Sequence, residues 1–300
     1  MFLCARVATA HDVEIMLNLC FPPSRFTNEV RERERDLWSR VWAVSAVEGV
    51  IMEDLDSRDS PASVAILVVA SLPSDLFDYL SRPGGPDLVS GFVEALESGK
   101  FPQLDEAAIG RANAGKGLDK IFLWTGYNGD EAPTAATVSL RSRVVAAYND
   151  IFSGNRVRRI SVESEDERLH QRFQGYGYSI IRQQRGKVLL SFSRDEAFAG
   201  TEISSQRFFS YDPPVLGFTS AQRDILLLAR QGYTDQEVAA ALGKSADSVK
   251  KRWSGIYARF AQVFPGRLPS AGEGSRGMEK RRTLLSYLRD RPEELRPYGP

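Results

Sequence analysis

Between Leu242 and Ser245 the chain has room only for a tight turn, and this constrains the fold more than any other stretch. The segment around it, "FTSAQRDILLLARQGYTDQEVAAALGKSADSVKKRWSGIYARF" (218–260), reads as three helices. The first starts at a cap on Thr219 or Ser220, carries the stripe Ile225, Leu228 and Ala229, and ends at Gly232. Thr234 caps the second, and Glu237 three residues later completes a capping box. Val238, Ala239 and Leu242 face inward, and Gly243 ends that helix. Ser245 caps the third, whose stripe Val249, Trp253, Ile256 and Phe260 has spacings of four, three and four. Helices joined so tightly must cross steeply, which predicts helix–turn–helix geometry.

The preceding 200 residues alternate between the two periodicities. "FLCARV" predicts a strand, and "TAHDVEIMLNLC" a helix with Thr9 as cap and Val13, Met16, Leu17 and Cys20 inward. Residues 29–44 predict a helix with Trp38 and Trp42 on its packed face. "SVAILVVAS" predicts a buried strand, and Ser71 and Ser74 are candidate caps for the helical "SDLFDYL" after it. Further helices are expected at "DLVSGFVEAL", at "LDEAAIGRANAGKG" and at "TVSLRSRVVAAYNDIFSG", the last with Val138, Val144, Val145, Tyr148 and Ile151 on one side. "LDKIFLWTGY" and "RRISVES" predict strands. "YSIIRQ" and "KVLLSFS" predict a hairpin about Arg185-Gly186. Asp105, Glu106 and the acidic run from Glu163 to Glu167 are candidates for general acid/base work or cation binding but read more simply as helix starts and solvated loops, and His170 reads as a surface helix residue. The amino-terminal part is therefore a mixed α/β (or α+β) domain.

The charge is divided unevenly. The chain carries 39 basic and 39 acidic side chains, yet from Val215 onward there are 15 Lys and Arg against 9 Asp and Glu. The carboxy-terminal part is thus at +6 and residues 1–214 at −6, an arrangement that fits a domain that meets a polyanion and equally two unrelated solvated surfaces. Two cysteines without C-x-x-C spacing and two histidines give no metal site and imply a reducing, cytoplasmic setting. The opening residues read as domain and not as a leader, and the longest apolar run is too short to span a bilayer, so no membrane partner is expected.

Residues 218–260 resemble the LuxR/GerE-type helix–turn–helix of bacterial transcription regulators. The G-x-[ST]-x-x-E-[IV]-A pattern stands as Gly232, Thr234, Glu237, Val238 and Ala239. The x-L-x-x-S-x-x-[ST]-V-K pattern stands as Leu242, Ser245, Ser248, Val249 and Lys250. Gln222 replaces the usual glutamate, and Arg252 replaces a histidine. The family's short fourth helix gives way to "AQVFPGRLPSAGEG" and an added helix with Leu284, Leu285 and Leu288 as packing residues, which either covers the core or pairs protomers. The resemblance implies a reading helix at 245–260 in the major groove of double-stranded DNA. Its DNA-binding residues would be Thr234, Ser245, Ala246, Asp247, Ser248, Lys250, Lys251 and Arg252, through phosphates or base edges. Arg281 and Arg282 read either as a second backbone contact or as a solvated face.

Two other stretches, "ARVATAHDVEIMLNLC" and "HQRFQGYGYSIIRQ", resemble the Gcn5-related N-acetyltransferase (GNAT) fold. That family cradles a cofactor pyrophosphate on a Q/R-x-x-G-x-G/A turn after a central strand. Arg172 to Gly177 matches those letters but stands near the end of the domain, and "ANAGKG" precedes its strand.

The chain thus divides into a sensory or dimerisation domain (1–211), a linker (212–217), a LuxR-type domain (218–264) and a linker with a helical extension (265–300). The expectation is a cytoplasmic, sequence-specific DNA-binding transcription regulator that is not an enzyme and has no catalytic residues, cofactor or metal. A homodimer and an unidentified small-molecule or protein effector are compatible with it. The alternative is an N-acyltransferase or acyl-CoA-binding protein with an accessory helical domain.

Overall fold

The computed structural model describes residues 2–23, 26–44, 46–56, 62–101, 104–127, 135–200, 206, 208–269 and 276–299. Its centre is a seven-stranded sheet of order β1-β2-β3-β4-β5-β7-β6. The strands are β1 (Leu3–Val7), β2 (Val47–Asp54), β3 (Ala62–Leu72), β4 (Leu118–Tyr127), β5 (Val157–Ser164), β6 (Ser179–Gln184) and β7 (Lys187–Ser193). All neighbours are antiparallel except β4 and β5, which run parallel and are joined through a crossover helix. This is a mixed α/β fold.

β3 lies near the middle because nine consecutive residues from Val64 to Leu72 are buried. Its side chains divide by parity, as a pleated strand requires. Ile66, Val68 and Ala70 point into a core shared with α1 (Val13–Cys20), α2 (Asn28–Trp42), α3 (Ser74–Ser81), α4 (Leu88–Glu97) and α5 (Glu106–Ala114). Ala65, Leu67 and Val69 point to the other face, under Leu140, Val144 and Tyr148 of α6 (Ala135–Phe152). Val138 falls on a side chain outside those described. α7 (Glu167–Gly175) precedes β6, and α8 (Arg194–Ala199) follows β7.

Several local expectations are corrected. β2 carries no sequence signal strong enough to separate it from its surroundings, and its pairing with both β1 and β3 makes it a strand. Ser71 is a buried strand residue and Ser74 the first residue of α3, whose cap position is Pro73, so neither serine caps a helix. His170 is buried, and its Nε2–H donates to the carbonyl of Ser164 at 2.8 Å, which ties α7 to the end of β5.

Residues beyond 212 form an all-α unit of α9 (Ser220–Arg230), α10 (Asp235–Ala241), α11 (Ala246–Val263) and α12 (Arg276–Asp290), closed by a 3-10 turn at Pro292–Leu295. Thr219 and Thr234 each complete a capping box, and Ser245 accepts the amide of Ser248. Ile225, Leu226 and Ala229 are buried in α9, whereas Leu228 is only partly so. Leu284, Leu288 and Leu295 share one buried cluster with Val249, Trp253, Ile256 and Phe260, so the carboxy-terminal segment covers the three-helix core. Residues 270–275 of the intervening Pro/Gly/Ser stretch lie outside the described residues.

Candidate functional site

The sheet opens at one place. β4 pairs with β3 from Asp119 to Tyr127, but its ladder to β5 runs only from Leu118 to Phe122. Beyond Phe122↔Val162, β5 turns toward β7, with which it pairs as far as Ser164. A register shift where Val68 and Val69 face Trp124 and Phe122 leaves one extra residue, Leu123, in β4 at this point. Such a bulge adds local twist and redirects the strand. Two parallel neighbours therefore diverge, and among the described residues the β5-facing peptide groups of β4 from Leu123 to Gly126 have no ladder partner. Backbone donors and acceptors of this kind take water or a ligand that carries its own amides.

Aromatic side chains flank the opening. Phe21, at the end of α1, lies 5.0 Å from Trp124 and 5.3 Å from Phe26, ring centre to ring centre. Trp38 of α2 meets Trp124 edge-on at 6.0 Å, and its buried indole N–H has no hydrogen-bond partner. Gly126 lets α1 approach, because a Cβ there would collide with the Cys20 sulfur. Burial pushes the Cys20 thiol well above its ordinary pKa, so it is no thiolate nucleophile. Buried Arg31 donates to the carbonyls of Phe21 and Leu17 and holds the last turn of α1 in place.

The carboxylate nearest the β5 side is committed elsewhere. Glu163 accepts from Arg182 and, at 3.0 Å, from the Leu88 amide at the start of α4. Arg182 also donates to the carbonyls of Leu80 and Pro86. Glu163 is thus a structural anchor and not the solvated acid expected from its acidic surroundings. Asp166 and Asp105 are helix caps, accepting from Arg168 and Ala108.

The opening suits an extended chain that carries its own amides and hydrogen-bonds as a strand does. Among the described residues the glycine-rich stretches form no phosphate cradle beside it. The residues after β4, Asn128 to Thr134, read N-G-D-E-A-P-T and contain two carboxylates and no glycine repeat. They lie outside the described residues. The R-F-Q-G-Y-G match at Arg172–Gly177 closes α7 instead: Gly177 has φ +93° and packs on Phe192, and Arg172 donates to the Tyr176 hydroxyl. It is a helix terminus, not a phosphate cradle.

The residues expected to bind DNA sit in the helical unit, away from this opening. The Thr234 hydroxyl is engaged with Glu237 and that of Ser245 with the Ser248 amide. Ala246, Asp247, Lys250 and Lys251 are exposed on the first turns of α11, while Ser248 and Arg252 are half-buried. Arg281 does not project freely. It donates to Asp235 at 2.8 Å and lies over the Trp253 ring, whose Nε1–H also donates to Asp235. Most of the motif thus serves caps and core, which any packed helical triad requires.

No family model matches the chain, and no curated protein does. Solved structures do align with it. Arabidopsis thaliana NAA60 in complex with acetyl-CoA aligns at 12% identity over 65% of this chain and 99% of its own, with TM-score 0.35. FdhC, a nucleotide-linked sugar GNAT, aligns at 12% identity over 69% and 95%, with TM-score 0.37. The spermidine/spermine N-acetyltransferase SpeG from Vibrio cholerae aligns at 9% identity over 67% and 97%, with TM-score 0.35. Alignments this distant assign no substrate and no residue role. Of the three structures, one is a protein bound to acetyl-CoA, one a GNAT and one an N-acetyltransferase, and none of the three is a DNA-binding regulator. The expectation of a LuxR-type DNA-binding transcription regulator that is not an enzyme is corrected on that ground. The physical reason lies in the motif itself, whose letters specify how helices are capped and packed and leave the ligand unspecified. Among the described residues no helix is long and apolar enough to cross a membrane.

Proposed function

We propose that the sheet domain binds an acyl-CoA in the opening between β4 and β5 and transfers the acyl group to an amine. The observation that supports this is the end of the β4–β5 ladder at Phe122↔Val162, beyond which β4 continues from Leu123 to Gly126 with no ladder partner on that side among the described residues. Bound acyl-CoA supplies an activated thioester. The amine nitrogen forms the new C–N bond as the C–S bond breaks, and the thiol leaves with the proton that the nitrogen loses. β4 peptide N–H groups hold the arm and polarise the thioester carbonyl, as backbone donors do where negative charge develops. Phe21, Phe26 and Trp124 limit water at the reacting end. Glu163 is held by Arg182, so the ammonium gives its extra proton to solvent before it binds and the amine arrives neutral.

Calorimetry of the full chain with acetyl-CoA tests binding, and amine-dependent release of free thiol tests transfer. Binding with Kd between about 1 μM and 1 mM is expected, the usual range for enzyme substrates. Leu123 deletion, which restores an even β4 register, should abolish it while the helical unit stays folded. If acetyl-CoA gives no heat at about 1 mM, the reading is wrong.

A further inference from the structure

A second opening lies at the other end of α6. It is a groove of about 1770 Å³ between the carboxy-terminal turn of α6, the segment 208–212 and α12. Small-molecule sites usually measure about 300–1,000 Å³, so this groove has room for a ligand with several parts. The groove reaches β4 at Lys120, on the face of the sheet covered by α6, where Lys120 meets Tyr148.

The charges on its walls are unevenly matched. Three cations are neutralised in place: Lys120 by Glu48 at 2.8 Å, Arg281 by Asp235, and Arg291 by Glu293 and Asp212. Four others, Arg230, Arg267, Arg282 and Arg289, form no ion pair within 4 Å among the described residues, and of these Arg230 has the Asp150 carboxylate nearby. The groove's remaining carboxylates are Asp150 and Asp290. Arg230 donates to the Asp150 carbonyl at 2.6 Å and lies beside Arg296. Burial and that second guanidinium lower its pKa, and the negative charge of Asp150 offsets them only in part. Arg282 and Arg289 are seven residues apart and exposed, hence on one face of α12. Flat apolar surfaces stand between these charges, from Phe152, Phe208, Tyr211 and Tyr287.

We infer that this groove binds a nucleoside diphosphate, its phosphates on Arg282 and Arg289 with Arg230 behind them, and its base against the aromatic wall. Guanidinium groups pair with phosphate oxygens through two parallel hydrogen bonds, and separated arginines favour a ligand with more than one phosphate. Aromatic faces take a flat ring. The inference does not rest on acyl transfer.

Titration calorimetry of the full chain with ADP, inorganic pyrophosphate and adenosine tests it, since ADP combines the two halves that the others offer singly. ADP should bind at least about tenfold more tightly than either half, a difference of about 1.4 kcal/mol. The double variant R282A/R289A should lose at least that factor and keep its unfolding temperature, because both side chains are exposed. Arg33→Ala, at an exposed arginine of α2, should leave ADP binding unchanged. Acetyl-CoA bound between β4 and β5 should leave ADP in place. The inference is overturned if ADP does not bind, if pyrophosphate binds as tightly as ADP, if R282A/R289A binds ADP like the parent, or if acetyl-CoA displaces it.

Discussion

The guanidinium of Arg296 donates to the carbonyl of Ser153 at 2.9 Å, and through its second nitrogen to that of Ile151 at 3.2 Å. Arg230 donates to the Asp150 carbonyl one residue before. The last carbonyls of a helix have no intrahelical partner, and here two arginines from the helical unit satisfy those of α6. The carboxy-terminal tail continues the attachment. Buried Asn113 donates to the Pro297 carbonyl at 2.8 Å, and Glu294 accepts the amides of Val215 and Leu216. The helical unit is therefore fastened to the end of α6 mainly through backbone groups.

Arg296→Ala removes two caps from α6 and a positive charge that helps lower the Glu48 pKa. A loss of about 1–3 kcal/mol is expected, the usual cost of charge-assisted hydrogen bonds to buried acceptors. Hydrogen exchange at the end of α6 should rise by one to two orders of magnitude, and unchanged protection would refute the attachment.

Gly154 follows α6 with φ +99°, and a Cβ there would meet the Pro292 backbone. Gly154→Ala should destabilise by more than the about 1–2 kcal/mol of a left-handed residue alone, because a main-chain segment must also move. Thermal unfolding measures it. Gly99→Ala, at φ +68° with open space around its Cβ, is the matched control and should cost only the conformational part.

Lys120, Glu48 and Tyr148 form a buried polar triangle. Lys120 Nζ donates to Glu48 at 2.8 Å and to the Tyr148 hydroxyl at 2.7 Å, and that hydroxyl donates to Glu48 at 2.6 Å. Burial raises the Glu48 pKa, but Lys120 and Arg296 more than offset it, leaving the carboxyl below its ordinary value. Glu48→Gln strands the Lys120 charge and should cost about 3–5 kcal/mol in urea unfolding, whereas the double variant E48L/K120M should recover most of that loss.

Asp12 supplies an acid-sensitive contact. Burial pushes its carboxyl up, but hydrogen bonds from Arg6 and from Thr9 bring it below the ordinary value. A carboxyl with a lowered folded-state pKa stabilises the protein above its unfolded pKa. That contribution fades as pH falls from about 4 through the folded value. Asp12→Asn should therefore lower stability at neutral pH and flatten the acid limb of a stability-versus-pH curve. An unaltered limb would show that Asp12 contributes nothing.

Asp235 joins two helices by accepting from both the Trp253 indole and Arg281. Asp235→Ala should red-shift the tryptophan emission of α11 and cost about 1–3 kcal/mol. Lys250→Ala, on the exposed side of the same helix, should do neither.

The sequence alone determined the elements whose residues carry their own signal. The continuous apolar run of β3, the capping box at Thr234, and the stripe from Val249 to Phe260 are local patterns that fix element type before any partner arrives. The same letters led toward DNA, because capping and core positions dominate the helix–turn–helix motif and are blind to what the exposed face touches. Only the tertiary structure decided where β4 parts from β5, that Glu163 and His170 are anchors, and that Arg230 and Arg296 cap α6. Each depends on pairing between segments far apart in the chain: Val68 and Val69 against the bulge at Leu123, Arg182 against Glu163, and Arg296 against Ile151. A strand does not record in its own residues where its neighbour leaves it, and an arginine does not record which carbonyl it will find.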